Sequence, residues 1–157
     1  MSTLDTTRAL TRRTTDAPGA ATATTRLRET APQLVLLAFR VVVGFLYSVH
    51  AVAGFGAFGG VDGAGTGLPP FTLYWWVSVV ELVGAVLVAI GLYVRPTCFL
   101  LSGMMAFAYF AMHLPQGWNP LYNMGEPAAL YSWIFLLLCA IGAGRYSLDH
   151  VRTHRRH

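Results

Sequence analysis

Four long apolar runs dominate the chain: Leu34–Ala53, Leu73–Val94, Thr97–Met112 and Pro127–Ala143. A bilayer core about 30 Å thick needs roughly 20 helical residues, with about 17 as the lower end. The first two runs meet that length. The third and fourth sit at its short end and need interfacial Tyr, Trp or His to complete them. The segments between the runs break the helical pattern. Segment 54–72, GFGAFGGVDGAGTGLPPFT, holds seven Gly and the pair Pro69-Pro70, so it is not a continued helix. Phe55, Phe58 and Phe71 give it a way back into the interface. Segment 113–126, HLPQGWNPLYNMGE, mixes Trp118, Leu121 and Tyr122 with turn formers, as at an aromatic belt. The short link YVRPT reads as a tight turn in which Pro96 ends the second helix early. The pattern predicts an all-α fold, a bundle of four transmembrane helices.

Composition supports a bilayer as the solvent. The chain is 55% hydrophobic and 11% charged, against about 25% charge in a typical soluble domain. Its 11 basic side chains are all Arg. Arg8, Arg12, Arg13, Arg26 and Arg28 precede the first run, Arg95 lies between the second and third, and Arg145, Arg152, Arg155 and Arg156 follow the fourth. Segments 54–72 and 113–126 hold none. Positive residues stay on the cytoplasmic side, which predicts an inner (plasma) membrane protein with both termini cytoplasmic. The net charge of +4 is then a topology signal, and no nucleic-acid partner is expected, because the Arg residues flank spans. Residues 1–33 read as a disordered Thr- and Arg-rich tail, 34–149 as the membrane domain and 150–157 as a basic C-terminal tail. Arg40 inside the first run, and the run's length, favour a retained span over a cleaved leader.

Three ionisable residues fall inside the runs: Arg40, His50 and Glu81. A charge near mid-bilayer costs at least about 2.5–3.5 kcal/mol, so it turns inward and takes a partner. Helical rise separates Arg40 from Glu81 axially by about 10 Å, most of which an Arg side chain covers. Two readings stay open: a buried ion pair that sets helix register, or a polar niche that holds a small ligand or passes protons. His50 meets Glu81 as readily. Toward the outer mouth, His113, Trp118, Asn123 and Glu126 join as candidate ligand-binding residues, with Asp62 nearby in sequence. Two His and a carboxylate are ingredients of an iron-type triad, yet no local metal motif is present and no metal is expected. Glu126 precedes Pro127, which reads as a wet helix N-terminus with a favourable carboxylate. Cys98 and Cys139 form no C-x-x-C pair and read as packing residues.

These residues resemble the DoxX family of small four-helix membrane proteins over roughly residues 34–149. The resemblance rests on Arg40, on VHAVAGFGAFGG, on ELVGAVLVAIGLYVRP and most specifically on NMGEPAALY with GAGRYSLD. VHAVAGFGAFGG is similar to a His-Gly-x-x-Lys segment followed by Phe-Gly-Gly. Ala51 stands where the family often has Gly, and Gly54 where it often has Lys, so no role of that Lys carries over. The resemblance implies matching positions at Arg40, His50, Glu81, Asn123, Glu126, Arg145, Tyr146 and Asp149. It also implies relatives of two kinds. Some are similar to membrane subunits of thiosulfate:quinone oxidoreductase. Others are similar to anchors that assemble with a superoxide dismutase and a sulfurtransferase in thiol-stress defence.

Three functions are therefore expected to compete. The first is a subunit of a quinone-linked or thiol/oxidative-stress oxidoreductase system, with quinone as its cofactor near Arg40, His50 and Glu81. The second is a non-catalytic anchor for a soluble redox enzyme. The third is a small transporter, for which the third run offers only Ser102 and Tyr109 as polar lining. Small residues such as Gly84, Ala85, Gly103 and Ala106 allow close helix contact or a homo-oligomer.

Overall fold

The computed structural model describes residues 18–60 and 63–155. Among them are five α-helices and no strand: α1 Pro18–Ala53, α2 Leu73–Ile90, α3 Val94–Ala108, α4 Glu126–Ile141 and α5 Leu148–His154. A π turn at Tyr109–His113 and a 3-10 turn at Leu114–Gln116 prolong α3. The chain falls into two units, Met1–Pro32 and Gln33–His157.

Residues 18–33, part of the expected tail, are helical and continuous with the first apolar run. Pro18 suits the first helical position, and Ala-rich sequence follows. A helix already nucleated by an apolar run also extends at little further cost. Residues 1–17, Asp62 and the last two residues of the basic tail lie outside the described residues.

Three helical stretches are long and apolar enough to cross a membrane: Thr25–Ala53, Leu73–Ile90 and Val94–Gln116. The π and 3-10 turns give the third stretch its 23 residues. The fourth, Glu126–Ile141, has 16 residues, about 24 Å of helix. It is thus shorter than the ~30 Å core on its own.

Within the second unit the helices bury one narrow stripe each and leave the rest apolar and outward. On α1 the buried positions are Arg40, Val43, Gly44, Tyr47 and Ala51, the spacing of one helix face. On α2 they are Ser78, Glu81, Gly84, Ala85 and Val88. Val43, Tyr47, Val88, Cys98, Leu101, Phe135 and Leu138 form a common core. Outward stand Val42, Phe45, Val83, Val86, Phe99, Phe107 and Trp133, all exposed. A surface this apolar is unfit for water and suits acyl chains. Close approach is built in at Gly44, where a Cβ would lie 2.7 Å from the Ala85 carbonyl oxygen and 2.8 Å from the Ala89 Cβ. The Ser102 hydroxyl donates to the Ser132 carbonyl oxygen at 2.8 Å and joins α3 to α4.

The turn between α2 and α3 differs from the sequence reading. Gly91 ends α2 in the left-handed region, Tyr93 follows at φ 51, and α3 begins at Val94. Pro96 therefore lies inside the first turn of α3. Its missing N–H has no helical partner there in any case, so it starts a helix instead of ending one.

Candidate functional site

Buried polar side chains collect in two places. The first lies between α1 and α2. Tyr47 and Glu81 are each the inward residue of their helix turn, and the Tyr47 hydroxyl donates to Glu81 Oε1 at 3.0 Å. Tyr47 is fully buried and Glu81 is 5% exposed. The Tyr47 ring is packed by Phe135 at 4.8 Å and Tyr131 at 5.0 Å between centroids. On its other side the His50 ring stacks at 5.9 Å and 17°. His50 is exposed and lies within electrostatic reach of Glu81. Gly54 abuts the Ser78 hydroxyl so closely that a Cβ would overlap it. A polar path of His50, Tyr47 and Glu81 thus runs from the rim to the helix interface. Chemically it offers a hydroxyl donor, a carboxylate and an imidazole, enough to bind a carbonyl group and to move protons.

The second place is the opposite end of the same helices. Arg40 is fully buried, and its Nη2 donates to the Tyr146 carbonyl oxygen at 2.6 Å. Its Nε and Nη1 have no hydrogen-bond partner. A Cβ at Gly91 would overlap Arg40 Nη1 and also meet the Ser147 Cβ, so Gly91 is required both by its φ of 74° and by the guanidinium beside it. Asp149 completes this knot. Its two carboxylate oxygens accept from the Tyr93 and Val94 N–H groups at 2.8 and 2.9 Å, and its own N–H donates to the Gly91 carbonyl at 2.9 Å. That caps α3 from a distant stretch of chain.

Arg40 and Glu81 both turn inward, but they do not meet. Arg40 is engaged at Tyr146 and Glu81 at Tyr47, two helical turns or ~10 Å along α1 from Arg40. A single niche holding Arg40, His50 and Glu81 is therefore replaced by two separate clusters. Length alone made Arg40 a partner for Glu81; a backbone carbonyl and the Gly91 gap hold it elsewhere.

The residues of segment 113–126 form a third, smaller group. Asn123, 3% exposed, donates to the Gly117 carbonyl at 2.6 Å and accepts from the Gly125 N–H at 2.8 Å. His113, on the π turn, bonds through Nδ1 to the Asn123 carbonyl at 2.9 Å. His113 and Asn123 thus shape the loop. Trp118 is 82% exposed. Glu126 is exposed in the first turn of α4, whose cap position is Gly125. Among the described residues no three His, Cys, Asp or Glu side chains converge. Sequence reasoning missed Tyr47, although its spacing of seven from Arg40 puts it on the same helix face.

The model of the DoxX family, described as DoxX, matches residues 35–114. An uncharacterized protein of Haemophilus influenzae is 38% identical over 118 residues, which cover 73% of this chain and 88% of that protein. No solved structure matches. The match takes in Arg40, Tyr47, His50, Glu81 and Gly91, the centre of both buried clusters, and the chain belongs to the DoxX family.

Proposed function

We propose that this chain is an inner-membrane subunit of a quinone-linked or thiol/oxidative-stress oxidoreductase system, and that Tyr47, Glu81 and His50 form the polar end of a quinone-head niche. The observation that carries this reading is the buried Tyr47–Glu81 hydrogen bond with His50 at its rim. A quinone carbonyl needs a donor, which the exposed His50 supplies, since the single Tyr47 O–H is given to Glu81. Reduction takes two electrons from a partner enzyme and two protons, which pass from the rim by way of His50 and Glu81. The Arg-free loops on this side and the Arg-bearing Gly91 and Tyr146 end on the other support cytoplasmic termini. With both termini inside, α4 is a fourth crossing. Its short helix is completed by the flanking loop 120–125 and by local thinning of the bilayer.

The test is photo-labelling in proteoliposomes with an azido-menaquinone, followed by peptide mapping. Labelling concentrated around residues 47–54 and 78–81, and reduced about tenfold in Glu81→Gln, is the expected result. Equal labelling of both proteins, with no quinone extracted from the purified chain, sinks the reading.

A second reading draws on a different observation: Arg40, Asp149 and Ser102 are all engaged in joining one part of the bundle to another. Such contacts suit a non-catalytic anchor for a soluble redox enzyme. Affinity capture in mild detergent from native membranes would then bring down one redox enzyme in stoichiometric amount, with Glu81→Gln making no difference to it. A transport path gains nothing, because Ser102, its polar residue on α3, is tied to α4.

A further inference from the structure

At the Arg40 end of the bundle an open cleft of about 400 Å³ lies outside the Tyr47–Glu81 cluster. Its wall includes Arg95, Arg145, Ser147, Asp149, His150 and His154. The two guanidinium groups come from the first turn of α3 and the segment after α4, and α5 adds the imidazoles of His150 and His154. Arg95 lies against Gly142, where a Cβ would sit 3.2 Å from its Nε and 3.3 Å from its Nη2. Gly142 and Gly144, at φ 87° and 75°, carry the chain round the floor without side chains.

The one carboxylate in this wall, Asp149, is already committed. Both of its oxygens accept backbone N–H groups of Tyr93 and Val94. Its single negative charge offsets part of the positive field, Arg40 included, and the three guanidinium groups of Arg40, Arg95 and Arg145 leave the region net positive. Behind the wall stands Arg40, fully buried, bordering the same gap at Gly91 as Ser147, with Nε and Nη1 unpartnered. Its charge adds to the field of the cleft. A cleft with a surplus of positive charge concentrates counter-ions, and guanidinium groups lining one cleft suit phosphate oxygens.

We infer that this cleft binds a phosphate-bearing anion, held by Arg95 and Arg145 with His150 and His154 at its edge. The volume suits a phosphate group with a small substituent. The source is either the headgroup of an anionic phospholipid in the adjacent leaflet or a free phosphate, and the chemistry is the same. The site does not depend on any redox role.

The experiment uses the full chain in nanodiscs or mild detergent. Native mass spectrometry counts phosphatidylglycerol and phosphatidylcholine retained, and calorimetry titrates inorganic phosphate. The expected result is preferential retention of phosphatidylglycerol, reduced roughly 10- to 30-fold in the double variant Arg95→Ala, Arg145→Ala. Arg152→Ala serves as control, because that guanidinium sits 4.3 Å over the Tyr93 ring and is not in the wall. The double variant Arg95→Lys, Arg145→Lys restores most of the retention and shows that loss in the Ala variant is not misfolding. Phosphate binding that vanishes in the Ala variant, without lipid preference, assigns the same site to a soluble ligand. Retention that is equal for the two lipids with no phosphate binding, or that is unchanged in the Ala variant, overturns the inference.

Discussion

Glu81 and Arg40 are both buried charges on membrane helices, and the chain treats them differently. Glu81 faces another side chain, the Tyr47 hydroxyl, and its neighbour His50 opens to the surface. Arg40 faces backbone: the Tyr146 carbonyl and the bare Cα of Gly91. A charge gripped by backbone cannot change partners without moving the chain, so it acts as a latch. A charge paired with a hydroxyl next to an exposed imidazole can exchange protons while the helices stay still. Burial alone therefore does not mark a reactive site in a membrane bundle; the kind of partner does.

The largest effect is expected at the latch. Gly91→Ala places a methyl group on Arg40 Nη1 in a left-handed backbone. It should cost about 2–5 kcal/mol, read as a large drop in the thermal unfolding midpoint in detergent. Pairing it with Arg40→Ala should recover part of that loss, since the clash disappears. A cycle with no coupling beyond about 0.5 kcal/mol would remove the latch. Next comes Asp149→Ala, which leaves the Tyr93 and Val94 N–H groups uncapped. About 1–2 kcal/mol of stability should go with it, and quinone labelling should be unaffected.

At the other cluster the order of effects reverses. Glu81→Gln keeps an oxygen for the Tyr47 hydroxyl, so stability should change by less than about 1 kcal/mol, while labelling by a quinone probe falls about tenfold. Should Glu81→Gln lower stability as much as Gly91→Ala while the protein that stays folded labels as before, the two clusters would have exchanged roles. The smallest effects belong to Trp118→Ala and Glu126→Gln. Both side chains are exposed, and each change should stay within about ±0.5 kcal/mol and leave ligand retention as it was.

Solvent, helices and inward residues all follow from composition and spacing. Long apolar runs must be helical in lipid, because only a helix or a closed barrel satisfies its own backbone there. Arg40 and Glu81 had to turn inward because a charge against acyl chains is too costly, and both do. Helical periodicity even carried Tyr47, had it been followed one heptad beyond Arg40. Which buried groups meet is a matter of packing. Pairing depends on axial stagger between helices, and stagger is set by close contacts such as Gly44 on Ala85 and by the Gly91–Tyr93 turn. Those contacts separate Arg40 from Glu81. They also bring Asp149, which lies 55 and 56 residues from Val94 and Tyr93, onto their amides. Composition and spacing report what a side chain costs to bury; only packing distances of a few ångström select its partner.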